Sequence, residues 1–359
     1  MFKEKYTVVG VMSGTSLDGI DLAHIVFTVH DNQWDFEIAA CETVAYSTDW
    51  LNKLKTAITL SDGDLAQLNH DYTQLLAAVI SSFIDKNQLK NLDAICSHGH
   101  TILHQPHNGF TLQIGNLATI ATLTNQTVVC DFRVQDVQLG GQGAPLVPIG
   151  DQILFQDYDY CMNLGGFSNI SFVANKQRVA FDISAVNTIL NHYASTLGFD
   201  YDDKGAIARN GNCHDELLTE LNALPFYQLP YPKSLGFEFV KVIALPLMEH
   251  FTIPIQDKLN TFTQHIAQQI AAALPEKKGK MLITGGGTYN TFLIEKIKEN
   301  VPEMEIIIPD AKTIEFKEAL IFGLLGVLKL RNEVNVLSSV TGAKTDHSSG
   351  VVHKINSQQ

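Results

Sequence analysis

Two spacings of apolar residues alternate along this chain, and together they predict an alternation of strands and helices. Short apolar runs at residues 8–11, 92–97, 112–114, 127–130, 160–164, 281–284 and 305–309 read as buried strands. Ile20, Leu22, residues 24–27 and Val29 read as a second strand after the first, and residues 6–46 as a whole look like a run of strands. Helical spacing takes over at residues 49–60 and 64–86. In the second of these, Leu65, Leu68, Tyr72, Leu75, Leu76, Val79 and Phe83 share a face. Further helices are expected at 116–125, approaching Phe155, at 259–274 and at 314–330. A strand over 179–182 ends at Asp182. The next helix opens at Ser184 and carries Val186, Ile189, Leu190, Tyr193 and Leu197 on one face. Prolines between 225 and 232 interrupt regular structure. The order predicts an α/β chain with a domain boundary between Ile120 and Gly143.

Three turns between these elements carry the chemistry. Residues 14–19 are Gly14, Thr15, Ser16, Leu17, Asp18 and Gly19, small and polar, between two apolar runs. Such a turn offers backbone N–H groups to a polyphosphate without bulky side chains in the way. Asp18 and Asp21 add carboxylates suited to Mg²⁺. No Gly-Lys-Ser/Thr ends the turn and no helix follows it, so it is not a Walker A loop. A second strand–turn–strand, through Asn163, Gly165, Gly166, Ser168 and Asn169, lies about half a chain further on. The third turn, Gly285, Gly286, Gly287 and Asn290, ends a strand and opens a helix, a place where a nucleotide approaches backbone closely. Alone, each turn is equally an ordinary connection. Paired hairpins of this kind resemble those of actin, hexokinase and Hsp70 proteins.

Composition narrows the partners. The chain has 359 residues, 45% of them hydrophobic, enough for two domains. A net charge of −13 disfavours nucleic acid and anionic membranes. The five cysteines form no CxxC pair and sit among apolar neighbours, as reduced thiols of a cytoplasmic protein do. The first strand begins almost at the N-terminus, so no signal peptide is expected, and no apolar run reaches membrane-spanning length. The residues after Gly350 read as a polar, frayed tail.

Taken jointly, Met12 to Gly19, Ser97-His98-Gly99, Asp131-Phe132-Arg133, the Gly140 to Pro148 stretch, Asn163 to Ile170, Pro232-Lys233-Ser234, Gly285 to Gly287, Glu318-Ala319 and Thr341-Gly342-Ala343 resemble the anhydro-N-acetylmuramic acid kinase family, over nearly the whole chain. The resemblance implies a two-domain actin/hexokinase/Hsp70-like (ribonuclease H-like) fold with an interdomain cleft closing around the ligands. It divides the chain into residues 1–126, completed by the C-terminal segment, residues 127–345, and a tail at 346–359. It implies a phosphotransferase of peptidoglycan recycling that uses ATP, Mg²⁺ and water to open 1,6-anhydro-N-acetylmuramic acid and phosphorylate O6. ATP would bind at Gly14 through Asp21 (Ile20 included), at Gly165 and Gly166, and at Gly285, Gly286, Gly287 and Asn290, with Asp18 on the metal. Asp182 matches the family's catalytic aspartate and Glu318 its helix glutamate; His98, Asp131, Arg133 and Asn187 would bind the sugar.

Water must attack C1 of such a substrate while C1–O6 breaks, so one carboxylate is needed as base. Asp182, expected at a strand's carboxyl end, is either that base or the N-cap of the following helix. Asp131 and Arg133 either contact the sugar's carboxylate or pair with each other. The histidines at 98, 100, 104 and 107 suggest a loop lining the sugar pocket more than a zinc site, which would need other donors. Two departures stand out. The family's Thr-Gly-Pro-Gly-Asn after the aspartate is replaced by Ile183, Ser184, Ala185, Val186 and Asn187, and His100 replaces a Gln. They leave open a kinase for another sugar or anhydro sugar, or an ATP-dependent switch without catalysis. A homodimer is also open.

Overall fold

In the computed structural model, residues 3–355 are described. The chain divides into two compact units, residues 1–154 with 316–359, and residues 155–315. The observed breaks fall at Leu154/Phe155 and Glu315/Phe316, later than the boundary expected between Ile120 and Gly143. The strand at residues 128–130 remains in the first sheet, paired in parallel with its neighbour.

The first unit is a mixed sheet of seven strands. They are β1 (Lys5–Ser13), β2 (Ile20–His30), β3 (Gln33–Val44), β4 (Ala94–Gln105), β5 (Phe110–Ile114), β6 (Val128–Cys130) and, from the far end of the chain, β12 (Val351–His353). The order is β12-β6-β4-β1-β2-β3, with β5 on β4. β1, β2 and β3 form an antiparallel meander, and β1, β4 and β6 run parallel. The tail expected to fray after Gly350 instead supplies β12, antiparallel to β6. Residues 356–359 of that tail lie outside the described residues.

The second unit repeats the plan. Its strands β7 (Tyr160–Leu164), β8 (Phe167–Ala174), β9 (Gln177–Ala185), β10 (Lys278–Thr284) and β11 (Glu303–Ile307) stand in the order β11-β10-β7-β8-β9. β7, β8 and β9 are the meander, and β7, β10 and β11 are parallel. The turns β1–β2 and β7–β8 therefore occupy the same place in two copies of one topology. Both units mix sheet and helix, as the expected α/β class requires.

Each sheet has its own core. In the first unit Val9, Val11, Leu22 and Ile95 pack with Tyr72, Leu76 and Ile80 of the Asp62–Lys86 helix. In the second, Met162, Leu164, Ile170 and Ile283 pack with Leu259, Phe262, Ile266 and Ile270 of the Ile255–Ala273 helix. Among the described residues no helix is long and apolar enough to cross a membrane.

Three expected elements differ. The histidine segment expected as a loop is mostly strand: β4 continues through His100 and His104 because β5 pairs with it. The helix expected from Ser184 begins at Asn187, since Ile183 and Ala185 are buried and prolong β9. The helix expected at 116–125 is only Thr119–Thr124.

Candidate active site

The β1–β2 turn is held by its backbone. Leu17 N–H donates to Gly14 O at 3.2 Å, and Leu17 takes a left-handed φ of 65°. Gly19 is required: a Cβ there would lie 2.7 Å from Val44 O. Thr15, Ser16 and Asp18 are exposed, so the turn presents hydroxyls, amides and one carboxylate to solvent. Ile20 is buried in the core, so its side chain serves packing and only its backbone is available to a ligand. Asp21 on β2 accepts from Thr43 Oγ1 at 2.6 Å.

The Ala311–Leu330 helix packs on this sheet because Gly10 of β1 leaves room for it. A Cβ at residue 10 would meet Ala319 O at 2.0 Å. That approach sets Glu318, the preceding residue, among charges of its own unit. Burial raises the Glu318 pKa; Arg133 and Lys317 oppose the rise and Asp21 adds to it. Its side chain still reaches solvent. Lys317 is buried in an ion pair with Asp151 at 2.7 Å.

His98 and Arg133 form one unit. His98 Nδ1–H donates to Gly99 O at 2.9 Å, and Arg133 Nε–H donates to His98 Nε2 at 2.8 Å. Burial, then the arginine charge, lowers the His98 pKa well below its ordinary value, so the ring is neutral and its tautomer is fixed. Arg133 also donates to Gly143 O at 2.6 Å. Burial brings its pKa down to about 10, opposed by Glu318 and Asp136. Asp131 takes no part in this cluster. Its φ of 59° turns the chain, burial raises its pKa, and the opposing charge is His353. The pairing of Asp131 with Arg133 is not what the geometry provides.

In the second unit Asp182 lies within β9, opposite Asn169 of β8, and not at a strand end. It does not cap the next helix either. Val186, Asn187 and Thr188 donate their N–H groups to the carbonyls of Gly165 and Gly166, at 2.8, 3.2 and 3.2 Å. The turn between β7 and β8 thus caps the helix and frees Asp182 from that task. One Asp182 carboxylate oxygen, Oδ2, accepts from Leu235 N–H at 2.8 Å. Asp182 N–H donates to Lys233 O at 3.0 Å. Burial raises the Asp182 pKa, while the Leu235 amide and the Ser234 hydroxyl pull it back.

The third turn closes tightly on β7. At Gly285, with φ of 86°, a Cβ would stand 2.5 Å from Asn163 Oδ1 and 2.8 Å from Leu164 O. Gly286 is exposed. Asn187 Nδ2 would be 4.0 Å from a Cβ on Gly286, so these two expected residues neighbour each other. Asn290 caps the Thr291–Asn300 helix, its side-chain oxygen accepting from Leu293 N–H at 3.0 Å.

Several working residues escaped sequence reasoning. Ser234 belongs to a motif of the resemblance but carried no assigned role, and Leu235 carried no signal; only folding brings them to Asp182. The Lys317–Asp151 pair left a signal, adjacent charges on an apolar helix. The residues Ser13, Tyr46 and Tyr72 around His100 left none.

Among the described residues no group of three or more His, Cys, Asp or Glu is arranged to hold a metal. Magnesium in phosphoryl transfer takes most of its ligands from phosphates and water and one or two from carboxylates. Asp18 and Asp21 fit such a partial set.

Comparison with known proteins adds the following. The family model for anhydro-N-acetylmuramic acid kinase matches residues 6–354. Curated relatives bearing that name include one from Mannheimia succiniciproducens, 35% identical over 98% of this chain and 99% of that protein. Another from Francisella tularensis subsp. novicida is 34% identical over 96% and 97%. One from Bacillus cereus is 33% identical over 94% and 96%. Among solved structures, xylulose kinase from Rhodospirillum rubrum aligns over 98% of this chain and 94% of its own, with 9% identity and a TM-score of 0.43. The activator of 2-hydroxyisocaproyl-CoA dehydratase from Clostridium difficile aligns over 90% and 96%, with 12% identity and a TM-score of 0.44.

Proposed function

Because this chain belongs to the anhydro-N-acetylmuramic acid kinase family, we propose that it converts 1,6-anhydro-N-acetylmuramic acid, ATP and water to N-acetylmuramic acid 6-phosphate and ADP, in the recycling of cell-wall amino sugars. The observation that carries the mechanism is the seating of Asp182. Its carboxylate is gripped by the Leu235 amide and raised in pKa by burial. Such a group is more basic than a solvated aspartate, as a general base should be.

In the 1,6-anhydro sugar, O6 is tied to C1. Asp182 takes a proton from water as the water oxygen bonds to C1 and the C1–O6 bond breaks. O6 carries the released electron pair to the γ-phosphorus, and ADP departs. Phosphorus captures the leaving oxygen, so no separate acid is required. The backbone amides of the Gly14–Gly19, Gly165–Gly166 and Gly285–Gly287 turns bind the nucleotide. Asp18, with Asp21 nearby in the chain, would hold a divalent ion, which we take to be Mg²⁺ and which neutralises phosphate charge when bound. Arg133, oriented by neutral His98, offers a cation to the sugar's carboxylate. Glu318 orients the sugar or the water, Asn187 contacts the sugar, and Asp131 serves the backbone turn after β6 as well as substrate binding.

The test is mass spectrometry of the product formed in ¹⁸O-labelled water, read before the free anomeric centre exchanges. One solvent oxygen in a 6-phosphorylated sugar is the expected result. Phosphorylation without label would mean an ordinary kinase acting on a free hydroxyl. ATP binding with no sugar product would mean another acceptor or a nucleotide switch.

A further inference from the structure

Where β1 ends, four side chains meet in the first unit. Ser13 Oγ lies 2.5 Å from Tyr46 OH and 2.8 Å from His100 Nδ1. Tyr72 OH donates to Ser13 Oγ at 2.9 Å, and the two tyrosine hydroxyls are 2.6 Å apart. These are four contacts, and each needs one hydrogen. Three hydroxyls carry three hydrogens. The circuit closes in one sense, Tyr72 to Ser13, Ser13 to Tyr46 and Tyr46 to Tyr72, and every hydroxyl hydrogen is then spent. The fourth hydrogen has to come from His100 Nδ1.

We propose that this closed ring of three hydroxyls fixes His100 as the Nδ1–H tautomer, and that its bare Nε2 accepts a hydrogen bond from a hydroxyl or amide N–H of the sugar. The second half rests on the kinase reading above. The ring is neutral, since burial lowers the His100 pKa to about 4, so a single N–H is available. Burial also keeps both tyrosines protonated by raising their pKa values. His100 is only 2% exposed. Among the described residues its Nε2 meets no protein donor, yet it is not sealed from solvent as Nε2 of His265 and His347 are.

Chemistry selects the ligand. An unprotonated ring nitrogen repels phosphate oxygens, which only accept, so its partner is a donor; the sugar offers hydroxyls and an amide N–H, and the nucleotide arm of the experiment separates these from the donors of the nucleoside. Position agrees, because His100 is opposite Ser13, from which the phosphate turn starts. The group receiving a phosphoryl must come to the phosphate it takes.

The experiment is ¹⁵N NMR of the full-length protein labelled at histidine, alone, with 1,6-anhydro-N-acetylmuramic acid, and with a non-hydrolysable ATP analogue. His100→Asn assigns the signal. Its amide nitrogen stands in for Nδ1 and keeps the donor to Ser13 while removing Nε2. The expected spectrum has an unprotonated Nε2 that moves upfield with the sugar and not with the nucleotide. In kinetics, His100→Asn raises the sugar KM about tenfold, the loss of one hydrogen bond. The ATP KM changes less than about twofold, and His100→Gln, whose Oε1 reaches the Nε2 place, recovers part of the loss. A protonated Nε2 in the free protein overturns the ring, and an Nε2 unmoved by sugar that is turned over overturns the docking role. A sugar that neither binds nor reacts sinks the kinase reading and the docking role with it, while the free-protein spectrum judges the ring independently.

Discussion

Asp182 shows what one residue's surroundings decide. In sequence alone it reads more readily as a helix cap, and the family resemblance turns the reading to a base. Folding resolves the capping question, because Gly165 and Gly166 receive the helix N–H groups and Asp182 lies inside β9. Its burial raises the pKa, and the sign of the consequence is definite. A carboxyl with a raised folded pKa binds protons more tightly folded than unfolded. Folding stability therefore falls as pH rises from the ordinary aspartate range through the raised value, and the group destabilises the fold once it is ionised. Asp182→Asn should lower kcat by at least about 100-fold, keep ATP affinity by calorimetry, and leave the Tm equal or higher. Near-normal turnover in that variant would remove Asp182 as the base. In the wild type, the acid limb of kcat against pH should lie above the usual aspartate range.

Among the elements, helices and strands with strong periodicity were legible, and local exceptions were not. The Asp62–Lys86 helix follows its apolar stripe. β4 outran its apolar run because β5 satisfies its backbone through His100, His104 and Gln105, a partner five to fourteen residues away whose pairing hydrophobicity does not announce. The packing of the Ala311–Leu330 helix on β1 was invisible for a similar reason, since Gly10 looks like any strand glycine until Ala319 O arrives above it. Gly10→Ala should therefore destabilise the first unit by about 3 kcal/mol, read as a lower urea midpoint. Activity should fall as well, because the displaced helix carries Glu318. A midpoint unchanged from wild type would mean that the helix is not held at that contact.

At the scale of the molecule, one topology is used twice, meander β3-β2-β1 and meander β9-β8-β7, each continued by parallel strands. A net charge of −13 does not oppose a nucleotide held by amides and a divalent cation. Ligand binding should then stabilise the folded chain by mass action. ATP with Mg²⁺ at about 100 times its Kd should contribute about 2.7 kcal/mol, seen as a rise in Tm. Chelation should abolish that rise and turnover together, and a full rise in the presence of chelator would count against the metal's part in nucleotide binding. The apolar periods by themselves determined the α/β class, and the paired small-residue turns pointed to phosphate, because periodicity and the scarcity of bulk in a turn are local properties written in consecutive residues. Only the tertiary structure decided that 351–353 is a strand of the first sheet, that Ser234 and Leu235 hold Asp182, that Arg133 serves His98 and not Asp131, and that three hydroxyls from residues 13, 46 and 72 surround His100. Those contacts join residues tens to hundreds of positions apart, and what each group does depends on the burial and hydrogen-bond partners it acquires only when the chain is folded.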